Sequence, residues 1–205
     1  MMNNPNTIIF DCDGVILKSN QVKKQAYYKV ALSYYGDELA KSLIEYLSEN
    51  TGNPREHFFN HFLMNIVPSE YSGPSVEEIV AEVSKEIVKG LMECEISQSI
   101  FALRDKYPDA KWFVVSGGVE KELRDVFCKR SLDELFDGGI FGGPMTKDQI
   151  LKSLIEQDLV KFPVIFLGDS RYDYEVATRF NLDFIFISNW TDFKDWQNYC
   201  VNNKI

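Results

Sequence analysis

The first patterned stretch of the chain sets three large apolar residues, Ile8, Ile9 and Phe10, side by side. A strand with one wet face alternates apolar and polar residues; a strand covered on both faces need not. The same short, β-branched, non-alternating pattern returns in "KWFVVS" at 111–116, "PVIFLGD" at 163–169 and "DFIFIS" at 183–188, and more weakly in "GGIFGG" around Ile140. Between these runs the apolar positions fall at helical spacing: Val119, Leu123, Val126 and Phe127, then Ile150, Leu151, Leu154 and Ile155, then Val176, Ala177 and Phe180. Strands that alternate with helices predict an α/β fold, a Rossmann-like doubly wound sheet that is mostly parallel.

Residues 18–94 break this rhythm. They contain no strand-like run. Helical stripes follow one another instead: Val22, Ala26, Val30 and Tyr34; Leu39, Leu43, Tyr46 and Leu47; Val76, Ile79, Val80, Val83, Ile87 and Leu91. "NPRE" marks one more helix start, with Asn53 as cap, Pro54 in the first turn and Glu56 completing a capping box. The expected organisation is a discontinuous α/β core, residues 1–17 and 95–205, with an α-helical cap domain, residues 18–94, inserted after the first strand and hinged near Lys18 and Glu95.

Composition narrows the function classes. A formal charge of −9 and no Lys/Arg run longer than a pair argue against a nucleic-acid binder, which needs clustered cations to displace counterions. No apolar run reaches the length of a membrane span, and "MMNNPN" lacks the basic and apolar regions of a signal peptide. Cys12, Cys94, Cys128 and Cys200 are scattered, with no CxxC pair, as expected of reduced thiols in a cytoplasmic protein. The sequence leaves the oligomeric state open.

The candidate chemistry gathers at strand ends, where ligands of open α/β sheets bind. Asp11 and Asp13 flank Cys12 directly after the first strand. Ser116-Gly117-Gly118 follows the second, at the expected start of a helix. Lys147 opens the helix after "FGGPMT", and "GDSRYD" carries Asp169 and Asp173. Three or four carboxylates brought together repel unless a hard cation lies among them, and oxygen ligands with room for water suit Mg²⁺. The cation, Lys147, the Ser116 hydroxyl and the amides of Gly117 and Gly118 would form a pocket for a phosphoryl group. A carboxylate set against phosphorus can act as a nucleophile.

Four motifs in this order, Asp11-x-Asp13-Gly14-Val15, Ser116, Lys147 and Gly168-Asp169-x-x-x-Asp173, resemble those of the haloacid dehalogenase superfamily of phosphatases, in particular its phosphoglycolate phosphatase and β-phosphoglucomutase-like members with a helical cap. The resemblance implies Mg²⁺-dependent hydrolysis of a small phosphorylated metabolite, with no nucleic-acid or membrane partner. Asp11 would be the nucleophile and Asp13 the acid and base. Ser116, Gly117 and Lys147 would hold the phosphoryl oxygens. Asp11, the backbone carbonyl of Asp13, and Asp169 would bind the metal, with Asp173 doing so directly or through water. Gly52-x-x-Arg55 resembles a cap segment whose arginine contacts the non-reacting part of the substrate. A mutase with the same nucleophile is the alternative. Lys18 stands where many capped relatives carry an acid, and Met145-Thr146 precedes Lys147 in place of a Lys-Pro pattern.

Plainer roles exist for each residue. Asp13-Gly14 is good turn chemistry, Ser116 can cap a helix, Asp173 suits a helix N-terminus, and Arg55 can be a surface residue of a first turn. His57 and His61 stand four apart on one helix face, but no third metal ligand accompanies them. Cys12 is expected to pack inward. A signalling receiver also combines acids, Ser/Thr and Lys, but is shorter, lacks a large insert and takes phosphate on a later strand.

Overall fold

The computed structural model describes residues 4–50 and 55–205. In chain order its elements are β1 (Thr7–Phe10), α1 (Asn20–Glu49), α2 (Arg55–His61), α3 (Val76–Glu93), α4 (Ser99–Lys106), β2 (Lys111–Val119), α5 (Glu120–Lys129), β3 (Gly139–Gly143), α6 (Lys147–Glu156), β4 (Val164–Gly168), α7 (Arg171–Arg179), β5 (Asp183–Phe186) and α8 (Trp196–Asn203). The chain divides into two compact units, Met1–Asn20 with Cys94–Ile205, and Gln21–Glu93. Among the described residues no helix is long and apolar enough to cross a membrane.

The first unit holds a five-stranded sheet in the order β3-β2-β1-β4-β5, with every neighbouring pair parallel. β1 lies at its centre and all four of its residues are buried, which is why its sequence does not alternate. Ile9, Phe113 and Phe166 from three strands pack with Ile150, Leu151 and Leu154 of α6 and Val176 and Ala177 of α7. The register sets the site. Phe10 pairs with Val114 on one side and Leu167 on the other. Asp11 and Asp169 therefore leave the sheet, and Ser116 stands on β2, at one carboxyl edge.

The structure revises the expected course at several points. Ser116, Gly117 and Gly118 do not begin a helix. They lie inside β2, where the pairing with β3 shifts between Val115 and Val119, and α5 starts only at Glu120. α4 and α8 carry no sequence stripe because each buries a single side chain, Ile100 and Cys200. Sequence pattern cannot find a helix that contributes one residue to a core.

In the second unit two expected stripes share α1, which is broken at Gly36 (φ 81, ψ 174), a backbone state that glycine adopts without strain. Ahead of the break one buried line runs through Tyr27, Ala31 and Tyr35. Tyr35 is buried, while Tyr34 points outward and its hydroxyl donates to Glu82 Oε1 at 2.6 Å. α3 buries Ile79, Val83, Ile87 and Leu91, one line at four-residue spacing. α2 runs into a π-helical turn at Phe62–Ile66. The dense aromatics form this unit's core: Tyr27 stacks on Phe59 at 5.3 Å, and Tyr35 meets Phe62 edge-on. Gly52, Asn53 and Pro54, and with them the expected cap of α2, lie outside the described residues.

The outgoing and returning segments of the first unit are pinned to each other. Leu17 bridges Ile96, the Lys18 N–H donates to the Glu95 carbonyl, and Lys18 Nζ pairs with Glu95 Oε1 at 2.6 Å. Lys18 thus has an acidic partner on the returning segment. The pair is exposed, so the backbone bonds matter more than the charges.

Candidate active site

The site begins in the tight loop after β1. The Cys12 carbonyl accepts from both Ile16 and Leu17 N–H, and the Gly14 N–H donates to the Leu17 carbonyl. Gly14 has φ +76, and a Cβ there would collide with Asp169 Oδ2, so only glycine fits the turn. The loop buries Cys12 completely and leaves Asp13 partly accessible. The Cys12 N–H donates to Asp11 Oδ1 at 2.7 Å, and the Ser19 hydroxyl donates to Asp13 Oδ1 at 2.5 Å.

Lys147 is the first residue of α6, behind Thr146, which caps the helix in a reciprocal capping box with Gln149. The start of a helix is electrostatically poor for a cation, yet this lysine is buried. Two carboxylates explain it: Nζ lies 2.8 Å from Asp11 Oδ1 and 2.5 Å from Asp173 Oδ1. An ammonium has three donors, so one remains for a ligand. Lys152, a turn later, is exposed and stands 3.8 Å from Glu156.

Asp173 does two jobs. Its Oδ1 holds Lys147, while Oδ2 accepts from the Ser170 hydroxyl at 2.6 Å and the Ser170 N–H at 3.2 Å in the capping box of α7. With both oxygens engaged, its clearest role is to orient Lys147. Asp169, at the end of β4, accepts through Oδ2 from Asn20 Nδ2 at 2.8 Å. Ser116 is fully buried and its Oγ accepts from the Gly118 N–H at 3.0 Å. That bond takes the Gly118 amide and orients the hydroxyl; it is not a helix cap. Gly117 is exposed beside it, with open space where a Cβ would lie.

Asp11, Asp169 and Asp173 each offer a ligand oxygen within 4.8 Å of the others, all three buried. Burial pushes the Asp11 carboxyl up to about 7; Lys147 pulls it down, and Asp173 and Asp13 add to the rise. Burial also pushes Asp169 up to about 8, reinforced by Asp11 and opposed by the Asn20 hydrogen bond. Burial alone would lower Lys147, but Asp11 and Asp173 outweigh it and hold the ammonium above the usual lysine value. Three buried carboxylates facing one ammonium are short of positive charge. Hard oxygen donors at this spacing fit a divalent cation.

A sequence model of the haloacid dehalogenase-like hydrolases matches residues 8–187, which takes in every one of these groups. The chain belongs to the haloacid dehalogenase-like hydrolase family. No curated protein matches it by sequence. Among solved structures it is similar to a haloacid dehalogenase-like hydrolase from Streptococcus pneumoniae (20% identity, TM-score 0.65, covering 97% of this chain and 92% of that one). It is also similar to CbbY from Rhodobacter sphaeroides, solved with phosphate (17%, 0.66, 93% and 89%). A third is a protein from Thermotoga maritima assigned as a β-phosphoglucomutase (19%, 0.67, 94% and 90%). At these identities the likeness speaks for the family fold.

Within that fold, three supporting residues escape the motif reading. Ser19, Asn20 and Ser170 each hydrogen-bond a motif aspartate. Their signal is positional only, a short polar residue just after a motif or three positions before its last acid. Arg55 belongs to the second unit, where Nη1 donates to Ser84 Oγ at 2.6 Å. The histidine pair is occupied by neighbours. His61 stacks on Tyr46 at 3.8 Å, and His57 Nε2 shares a hydrogen bond with the Tyr46 hydroxyl at 3.2 Å.

The cluster has a pH signature. In metal-free protein Asp11 and Asp169 bind protons more tightly folded than unfolded, so folding stability falls as pH rises from about 4 through their raised values. Thermal unfolding in EDTA is expected to show a melting temperature that declines between about pH 5 and pH 8, with a shallower decline in Asp169→Asn. Equal slopes in the two proteins would contradict this.

Proposed function

We propose that the chain is a Mg²⁺-dependent phosphomonoester hydrolase acting on a small phosphorylated metabolite, a sugar phosphate or a phosphoglycolate-like compound. The observation that carries the reading is Lys147, buried between Asp11 and Asp173 with Asp169 alongside. Such a site is built for a ligand that brings both negative oxygens and a cation.

Asp11, Asp169 and the backbone carbonyl of Asp13 would hold the cation, with Asp173 contributing through water. Bound there, Mg²⁺ offsets the charge of the carboxylates and of the phosphoryl oxygens. The third donor of Lys147, the Ser116 hydroxyl and the Gly117 amide would orient the phosphoryl group. An Asp11 oxygen would then bond to phosphorus as the ester P–O bond breaks, and Asp13 would give its proton to the leaving oxygen. In the second step Asp13 would take a proton from water as that water attacks phosphorus, freeing phosphate and restoring Asp11. Partial accessibility suits Asp13 for this exchange, and Ser19 fixes its carboxylate.

The second unit would act as a cap that excludes water and selects the substrate. Arg55, with Ser84 holding one end of its fork, would contact a second anionic group of the substrate. Four cysteines outside any disulfide fit a reducing compartment, and we place the protein in the cytoplasm.

A generic aryl phosphate tests the chemistry. Release of inorganic phosphate should require Mg²⁺ and stop in EDTA. Asp11→Asn should lose about three orders of magnitude or more in kcat, and Asp13→Ala about 10²–10⁴-fold. Full activity in Asp11→Asn would remove the mechanism, and with a sugar phosphate as substrate an isomerised phosphate in place of free phosphate would turn the reading to a mutase. For specificity, Arg55→Ala should raise KM for the natural substrate about tenfold or more, the worth of a charge-assisted hydrogen bond, and leave aryl phosphate hydrolysis unchanged. Equal effects on both substrates would take Arg55 out of substrate recognition.

A further inference from the structure

We propose that Asn20 is a positioning residue that sets Asp169 for cation binding; this rests on the reading of Asp169 as a ligand. Asn20 opens α1, and its side-chain Nδ2 donates both to Asp169 Oδ2 at 2.8 Å and to the Trp190 carbonyl at 3.0 Å. Both partners are acceptors, so the nitrogen of the amide must face them. Two segments thereby close on one carboxylate oxygen, the loop after β1 at Gly14 and the first residue of α1, while the loop after β5 accepts the other amide hydrogen of Asn20. A Cβ on Gly14 would collide with that oxygen and lie 2.6 Å from Asn20 Nδ2, which leaves no slack in the seat. The loop after β5 holds the backbone of the same residue as well, through Thr191 Oγ1 on the Asp169 carbonyl at 2.6 Å.

The type of residue matters. A lysine here would orient Asp169 but cancel its charge and compete with a cation. A neutral amide fixes the direction of the carboxylate and leaves the charge in place. Hydrogen-bond partners of ligating carboxylates set ligand geometry, and their loss typically weakens metal affinity about 10- to 100-fold.

The test is direct Mn²⁺ binding to substrate-free protein, followed by the paramagnetic resonance of the free ion, alongside thermal unfolding in EDTA. Asn20→Ala is expected to weaken Mn²⁺ binding about tenfold or more, with little change in the EDTA melting temperature. If Asn20→Ala does not fold, Asn20→Ser replaces it, since serine suits a helix start but is one bond too short to reach Asp169. Wild-type Mn²⁺ affinity in the variant, with or without a lower melting temperature, overturns the proposal and leaves Asn20 a structural residue. Wild-type protein that binds no Mn²⁺ removes Asp169 as a ligand, and this inference with it.

Discussion

One buried ammonium between two buried carboxylates organises the molecule's chemistry. Lys147, at the start of α6, bridges Asp11, which follows the central strand, and Asp173, in the first turn of α7. Removing charge from water is costly, and an unpaired buried charge more so. The bridge meets part of that cost, but among the described residues Asp169 joins the same cluster without a cation of its own. The surplus of negative charge is the physical reason the cluster suits a divalent ion, and the raised pKa values of Asp11 and Asp169 express the same shortage.

The rest of the fold delivers these groups to one point. Parallel pairing brings the ends of β1, β2 and β4 to a common edge, and the pairing of Phe10 with both Val114 and Leu167 fixes how far each chain has run when it gets there. Capping then sets side-chain direction. Thr146 starts α6 so that Lys147 turns inward, and Ser170 starts α7 while steering Asp173. A cap residue and a site residue are here neighbours in the chain, so helix initiation and the chemistry are specified together.

The five strands and the four motif segments were legible because strongly apolar runs and strand-end acids are local signals. What escaped was set by tertiary contacts. The register shift between Val115 and Val119 depends on how β2 pairs with β3, so Ser116 read as a helix start when it lies in a strand irregularity. Tyr34 continues the stripe of Val22, Ala26 and Val30, but the packing of this unit buries the neighbouring line of Tyr27, Ala31 and Tyr35. Ser19 and Asn20 look like ordinary polar residues at a helix start until the fold brings Asp13 and Asp169 to them. Lys18 was legible as a departure, but its partner Glu95 lies 77 positions away.

Whether Asp11 itself takes the phosphoryl group is tested most directly by trapping. In Asp13→Ala the second step lacks its base, so a phosphorylated Asp11 should accumulate on mixing with aryl phosphate and Mg²⁺. Borohydride reduces an acyl phosphate to an alcohol, and mass spectrometry of the peptide should then find homoserine in place of aspartate at position 11. An unmodified Asp11 during turnover, or the label on any other carboxylate, would contradict the assignment of Asp11 as nucleophile.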